Sequence, residues 1–138
     1  MADRVRKVNY CYVKVPHRAG QGVALLGALR DANVSLLAFS GFPFKAGISQ
    51  LDMVAAKLGP VRRVATKLGL RVSKPKKAFL IQGKDRLGAV HKHMRKLKDQ
   101  KINITAADAV CAGNGRYGMI LWVKPGQYAR AAKALNAK

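Results

Sequence analysis

An internal repeat constrains this chain more than any other feature of its 138 residues. The segment that starts at His17 aligns without a gap with the segment that starts at Asp85, an offset of 68 positions. Matched residues at this offset are Arg18 with Arg86, Gly20 with Gly88, Leu29 with Leu97, Asp31 with Asp99, Gly47 with Gly115, Val34 with Ile102, and Leu36 with Ile104. We therefore predict one supersecondary unit that is used twice.

Each copy has the pattern of a strand, a helix, two strands and a second helix. Apolar alternation at residues 8–15 predicts a first strand, and the turn Gly113-Asn114-Gly115 predicts a hairpin in the second copy. The other expected strands are residues 35–42, 49–55, 77–82, 103–111 and 117–123, and the expected second helices are residues 61–68 and 127–135. This order predicts a sheet with helices packed on it in each copy.

The clearest helix lies in the second copy. Its apolar residues recur at helical spacing and are Leu87, Val90, Met94 and Leu97. The opposite face carries His91, Lys92, Arg95, Lys96 and Asp99. His91 and His93 are two positions apart and point to nearly opposite sides of a helix, which favours a solvated basic face over a metal-binding pair.

The two copies meet near Pro75. Residues 71–77 are expected to form the fourth strand of the first copy, and Pro75 cannot donate a ladder hydrogen bond. The predicted domains are therefore residues 1–74 and residues 75–138. The second copy lacks its own fourth strand, which leaves one sheet edge open to another chain or to the N-terminal residues. Two βαββα(β) units amount to an α+β protein of two ferredoxin-like sandwiches with antiparallel sheets.

Charge is the second constraint. Twenty-seven Lys and Arg residues face six acidic residues, which gives a formal net charge of +21. A surplus of this size predicts attraction to polyanions but does not determine the fold. No apolar run approaches the roughly 18 residues of a membrane span, and the N-terminal segment lacks the apolar core of a secretory signal. We therefore expect no membrane contact.

The two cysteines, Cys11 and Cys111, lie a hundred positions apart. They do not suggest a disulfide framework or a zinc knuckle, and we expect both to be small buried thiols in strands. The chain is therefore expected to be cytoplasmic.

Motifs of enzyme chemistry are missing from the sequence. It has no Gly-x-Ser-x-Gly, no phosphate-binding Gly-x4-Gly-Lys-Ser/Thr and no His-Glu-x-x-His. Its Asp residues are scattered, whereas acid–base catalysis usually pairs two carboxylates or sets a His beside one. Gly20-Gln21-Gly22 resembles half of a dinucleotide fingerprint, but the third glycine and the acidic residue are absent. We expect no catalytic activity, no cofactor and no metal.

The two strand-to-helix turns share one chemical property. Each directs the free N–H groups of a helix N-terminus toward the loop, where a carboxylate is favoured. Beside such a turn, Asp85 could accept from an ammonium group, and Asn103 both donates and accepts. These groups suit an amino acid, but Asp85 as a helix cap and Asn103 as a strand-entry residue explain the same pattern.

At these residues the sequence resembles the ACT domain, a small regulatory ligand-binding module of amino-acid metabolism. The family pattern is roughly D-R-P-G, then a helix, then a-G-I-N-I. The second copy matches it at Asp85, Arg86, Gly88, Ile102, Asn103 and Ile104, and departs from it at Leu87, where Pro is usual. The first copy is a looser match through His17-Arg18-Ala19-Gly20 and Asn33-Val34-Ser35-Leu36. The resemblance covers nearly the whole chain as a tandem pair.

This resemblance implies two ACT-type units paired side by side, with amino acids bound at a domain interface. The implied ligand-binding residues are His17, Arg18, Gly20 and Ser35 in the first copy and Asp85, Arg86, Gly88 and Asn103 in the second. Because His17 and Ser35 replace the usual Asp and Asn, the two sites are expected to be unequal. The implied function is regulation by a bound amino acid, exerted on an enzyme carried by a separate chain or through assembly, and the open sheet edge favours a homodimer.

A nucleic-acid-binding protein is the alternative. RNA-recognition motifs share the βαββαβ topology and stack bases on aromatic residues of the central strands. Tyr117 and Trp122 imitate the third-strand signature of that family, and Phe79 is a candidate stacking partner. Because Tyr117 and Trp122 have opposite strand parity, we expect Trp122 in the core. Binding by the basic clusters would be driven by phosphate contacts and mainly non-specific.

Overall fold

The structure, a computed structural model, describes residues 2–138 and divides into two compact units. One is Asn9–Lys76, here called the middle unit. The other combines residues 2–8 with Lys77–Lys138 and is here called the split unit. Each unit contains helices and antiparallel strand pairs, which confirms the expected α+β class.

The middle unit has three strands in the order β2-β3-β1, with two helices. Its elements are β1 (Arg4–Pro16, of which residues 9–16 belong here), α1 (Gln21–Asp31), β2 (Ala38–Lys45), β3 (Ile48–Ala55) and α2 (Leu58–Lys67). β3 pairs antiparallel with both β1 and β2. The core includes Cys11, Val13, Leu25, Leu29, Met53, Val61 and Ala65, all of them almost fully buried.

The split unit has the strand order β1-β4-β6-β5. Its further elements are β4 (Lys76–Lys84), α3 (Ala89–Asp99), β5 (Ala106–Gly113), β6 (Arg116–Trp122) and α4 (Tyr128–Leu135), the last preceded by a 3-10 turn at Pro125–Gln127. Its separate core includes Phe79, Ile81, Leu97, Met119, Leu121, Ala131 and Leu135. The Tyr128 ring stacks on Phe79 with the ring centroids 4.4 Å apart, and its hydroxyl donates to the Ala78 carbonyl.

Local backbone structure recurs at the offset found in the sequence. The His17 N–H donates to the Gly47 carbonyl at 2.9 Å, and the Asp85 N–H donates to the Gly115 carbonyl at 2.7 Å. Further equivalent bonds join Ala24 to Gly20 and Lys92 to Gly88, Val34 to Leu29 and Ile102 to Leu97, and Leu37 to Val54 and Thr105 to Trp122. The aligned segments therefore fold alike around both strand-to-helix turns.

The units are divided differently from the predicted domains at residues 1–74 and 75–138. Residues 2–8 cluster with the second copy, because β1 extends back to Arg4 and is the hydrogen-bonded neighbour of β4. The sheet edge beside β4, expected to be open, is therefore occupied. Of the predicted fourth strand at residues 71–77, Val72 forms one isolated bridge to Val13, and the last two residues begin β4.

The buried face of α3 agrees with the expected one at three of its four residues. Leu87 is fully exposed and precedes the helix, which begins at Ala89. Leu97 is buried as expected, and Val90 and Met94 are partly buried against the core. The other buried residues are Ala89 and His93, so the solvated position expected for His93 was wrong. Cys11 is buried as expected, but Cys111 is exposed because no residue of β5 is buried on either side of the strand.

No helix within residues 2–138 has the length and apolar character needed to cross a membrane.

Candidate functional site

The turn between β1 and α1 of the middle unit presents an uncapped helix N-terminus. Gly20 adopts φ 93°, a left-handed conformation that glycine takes without the steric cost of a side chain. No side chain caps this helix, and its first turn contains no acidic residue. The first helical bond runs from the Ala24 N–H to the Gly20 carbonyl, so the N–H groups of the residues between them point out of the helix end. The helix dipole adds partial positive charge there.

A cavity of about 330 Å³ lies in front of this turn. It is lined by Val15, Pro16, His17, Arg18, Ala19, Gln21, Gly22, Ser49 and Leu51. His17 Nδ1 lies 2.5 Å from Ser49 Oγ, a hydrogen bond that ties the turn to β3. The Arg18 guanidinium makes no ion pair with any described residue. The cavity thus combines an imidazole, a hydroxyl, a cation and free N–H groups.

The equivalent turn of the split unit has the same backbone but different surroundings. Gly88 adopts φ 78° before α3, which again has no side-chain cap. The Asp85 carboxylate does not cap the helix and instead accepts a hydrogen bond from Cys111 Sγ at 3.2 Å. This contact raises the pKa of the Cys111 thiol.

Arg86 of this turn points to a carboxylate supplied by the same unit. Its Nη1 lies 3.1 Å from Asp3 Oδ1, and the Asp3 side chain is only 2% exposed. Asp3 Oδ2 also accepts from the Tyr117 hydroxyl at 2.5 Å and lies 2.7 Å from His93 Nε2. Three side chains from two elements and a turn therefore converge on the Asp3 carboxylate.

The protonation states of this cluster follow from burial and hydrogen bonding. Burial alone would raise the pKa of Asp3, but hydrogen bonds from Arg86, Tyr117 and His93 hold that pKa well below its ordinary value. Burial and the adjacent carboxylate raise the pKa of Tyr117, so its hydroxyl remains a donor. Burial lowers the pKa of His93 more than Asp3 raises it. His93 is therefore neutral and donates from Nε2, while its buried Nδ1 has no partner among residues 2–138.

Gly83 on β4 leaves the space that this carboxylate occupies. A Cβ built on Gly83 would collide with the Asp3 carboxylate and would lie 3.2 Å from Tyr117 Cε1. The residue at the matching position of the middle unit is Val15, whose side chain lines the open cavity. The position of Gly83 therefore adjoins a carboxylate in the split unit, whereas the matching position of Val15 adjoins a cavity in the middle unit.

The structure places the eight sequence-predicted site residues on the surface of their units. They are His17, Arg18, Gly20, Ser35, Asp85, Arg86, Gly88 and Asn103, all exposed. His17 and Arg18 line the cavity described above, and Arg86 binds Asp3. Ser35 does not line that cavity.

Sequence reasoning missed Asp3, Gly83, His93, Tyr117 and Ser49. For His93 a signal was present, since it aligns at the repeat offset with Leu25, a buried residue. A histidine in place of a core leucine needs a buried hydrogen-bond partner. Asp3 lies outside the aligned segments, so the repeat carried no information about it.

The aromatic residues of the RNA-binding alternative are not available for stacking. Phe79, Tyr117 and Trp122 are all buried, and Phe79 already stacks on Tyr128. The expected core position of Trp122 agrees with this burial. Within residues 2–138, no three His, Cys or acidic side chains gather as a metal-binding group.

Comparisons with known proteins concern the fold. No family model and no curated protein matches this sequence. A crystal structure of a protein from Bacteroides thetaiotaomicron is similar with a TM-score of 0.79 at 15% identity, over 97% of this chain and 88% of that one.

Two similar structures carry a functional description. The ligand-free regulatory subunit of aspartate kinase from Thermus thermophilus has a TM-score of 0.66 at 12% identity, over 98% of this chain and 93% of that one. Its counterpart from Thermus flavus has a TM-score of 0.61 at 15% identity, over 98% and 94%. At such identities the likeness establishes the fold alone.

Proposed function

We propose that this chain is a tandem ACT-type regulatory protein that binds a free amino acid in the cavity of the middle unit. The observation that carries the proposal is that cavity, set against an uncapped helix N-terminus and lined by His17, Arg18 and Ser49. The strand order of each unit supports two ferredoxin-like sandwiches of ACT type. The chain acts by binding and has no catalytic activity of its own.

Complementary charges place the amino acid in the cavity. Its carboxylate lies against the N–H groups at the start of α1, where the helix dipole favours an anion, and beside Arg18. The ammonium group donates to the Ser49 hydroxyl or to the His17 imidazole, which are 2.5 Å apart. A volume of about 330 Å³ is at the small end of ligand pockets and suits a single amino acid.

Regulation in this proposal acts through assembly. The expected partners are a second copy of the chain and an enzyme carried by a separate chain, as in the kinases whose regulatory subunits share this fold. Among the described strands, β2 and β5 are the outermost of their units and are mostly exposed, so they offer edges for a homodimer. The free thiols of Cys11 and Cys111 are compatible with a cytoplasmic location.

A thermal-shift screen of the twenty amino acids tests the site. Ligand at a hundred times its dissociation constant adds about 2.7 kcal/mol, which raises Tm by several degrees. Arg18→Gln and Ser49→Ala should each remove most of that rise. Without ligand, Arg18→Gln should change stability by less than about 0.5 kcal/mol, and Ser49→Ala, which loses the bond to His17, by about 1 kcal/mol. Arg63→Gln, the same loss of charge on an exposed residue of α2, is the matched control and should retain the full response.

Two outcomes would count against this proposal. One is a wild-type chain whose Tm no amino acid raises. The other is a ligand-dependent rise that Arg18→Gln and Ser49→Ala leave intact, since the ligand would then bind elsewhere.

Nucleic-acid binding is a second candidate, favoured by one observation on β2. Phe39, Phe42 and Phe44 of this strand are exposed, and Lys14 Nζ lies 3.6 Å from the centre of the Phe44 ring. Exposed aromatic rings beside cations suit single-stranded nucleic acid. The double variant Phe42→Ala/Phe44→Ala should then weaken oligonucleotide binding at raised salt. If binding disappears with salt equally in both proteins, only non-specific attraction to the charge of +21 remains.

A further inference from the structure

We propose that Gly83, Arg86, His93 and Tyr117 form a receptor for a small carboxylate, that the Asp3 side chain is its tethered occupant, and that a free monocarboxylate binds there once the Asp3 carboxylate is removed. This receptor lies wholly within the split unit. It does not depend on the amino-acid site proposed for the middle unit.

The donors are arranged around both oxygens of one carboxylate. Arg86 Nη1 donates to Asp3 Oδ1 at 3.1 Å, and Arg86 Nη2 lies 3.4 Å from Asp3 Oδ2. Oδ2 accepts from the Tyr117 hydroxyl at 2.5 Å and from His93 Nε2 at 2.7 Å. Charge-assisted hydrogen bonds of this kind are the strong ones, and they are made here to a side chain with 2% exposure.

The receptor stands at the place where the middle unit has its cavity. Residues paired at the offset of 68 are Val15 with Gly83, Arg18 with Arg86, Leu25 with His93 and Ser49 with Tyr117. Three of the four middle-unit residues line the open cavity. Each split-unit partner either contacts the Asp3 carboxylate or leaves room for it. In the middle unit this location adjoins an open cavity, and in the split unit it is filled by the Asp3 carboxylate of the same unit.

Occupancy by Asp3 follows from tethering. Asp3 immediately precedes β1, so its carboxylate is held beside the receptor at a high effective concentration. A free carboxylate must compete with that concentration, and the wild-type site is therefore closed to it. Without the Asp3 carboxylate, the buried donors His93 and Tyr117 keep only each other as partners, with Nε2 and the hydroxyl oxygen 3.2 Å apart, and together they offer fewer acceptors than donors. Such donors favour a small planar anion of the same shape.

The experiment is a chemical rescue with sodium formate. Asp3→Ala removes one carbon and two oxygens, which are the heavy atoms of formate. Loss of this buried acceptor should lower Tm by about 10 °C. Formate should restore at least half of that loss in a saturable manner. Asp3→Asn is the matched control, because it removes the charge but keeps the space filled.

Sodium chloride at equal concentration accompanies every formate titration, since any anion screens a net charge of +21. Relative to chloride, formate should raise the Tm of Asp3→Ala clearly more than that of wild type or Asp3→Asn, since any formate bound in the middle-unit cavity contributes equally to all three proteins. Adding Tyr117→Phe to Asp3→Ala should weaken the formate response, because one donor is lost.

Three results would overturn the proposal. The first is a folded Asp3→Ala chain that gains no more from formate than from chloride. The second is an equal formate response in wild type, which would place the anion elsewhere. If Asp3→Ala does not fold in buffer, refolding is followed by circular dichroism: recovery with formate but not chloride supports the receptor, and failure with both, while Asp3→Asn folds, contradicts it.

Discussion

The turn after β1 and the turn after β4 share one backbone conformation but differ in the side chains and the space that they face. Both begin with an N–H bond to a hairpin glycine and end with a left-handed glycine before a helix. In the middle unit this frame faces a cavity of about 330 Å³. In the split unit it faces the buried carboxylate of Asp3. The difference comes from a few side chains on the same backbone, so a shared fold does not give the two units the same surroundings at this turn.

Gly83 stands where the middle unit has Val15 and leaves the space that the Asp3 carboxylate fills, and this predicts the largest effect. Gly83→Ala should cost about 3 kcal/mol of unfolding free energy, because the new Cβ collides with the Asp3 carboxylate and separates it from its donors. Urea unfolding of wild type, Gly83→Ala, Asp3→Ala and the double variant measures whether the collision with Asp3 causes this loss. Gly83→Ala should cost clearly less in an Asp3→Ala background, and equal costs in both backgrounds would show that the collision does not involve Asp3.

The next prediction concerns pH, because only the split unit buries a histidine in this place. The lowered pKa of His93 means that the unfolded chain binds its proton first, so stability is lost as pH falls below about 6.5. The lowered pKa of Asp3 likewise causes a loss of stability as pH falls, in this case below about pH 4. Asp52, whose pKa burial raises, acts in the opposite direction.

A difference between variants isolates the histidine. His93→Gln keeps an N–H donor for Asp3 but cannot titrate, so its unfolding free energy should fall less between pH 7 and pH 5 than that of wild type. The difference is limited to about 1.4 kcal/mol per pH unit, the value for uptake of one proton. Parallel pH profiles for the two proteins would contradict a neutral buried His93.

The backbone of the two turns could be predicted from the sequence, whereas the side-chain contacts around them could not. The offset of 68 and the two turn glycines predicted the repeated backbone around the turns, because local hydrogen bonding and positive φ leave few alternatives. The contents of the turns were not predictable in the same way. Asp3 lies far from Arg86, His93 and Tyr117 in sequence, and only the backward extension of β1 brings them together.

The smallest expected effect concerns Asp85, which belongs to the same turn but contacts neither Asp3 nor the helix end. Asp85→Ala should change stability by less than about 0.5 kcal/mol, since the side chain is exposed. It should also speed alkylation of Cys111 at neutral pH, because Asp85 raises the pKa of that exposed thiol. Cys11, which is buried, serves as the internal control and should remain unlabelled. An unchanged alkylation rate at Cys111 would show that Asp85 does not control the reactivity of that thiol.

The most direct test of an open site in one unit and a filled site in the other is an NMR titration with sodium acetate at constant ionic strength. Amide signals of the 15N-labelled wild-type chain should move at Gln21 and Gly22 and stay unchanged at Ala89 and Val90. In Asp3→Ala, signals of both pairs should move. Equal movement of both pairs in wild type, or no movement at Gln21 and Gly22 in either protein, would contradict the division between an open and a filled site.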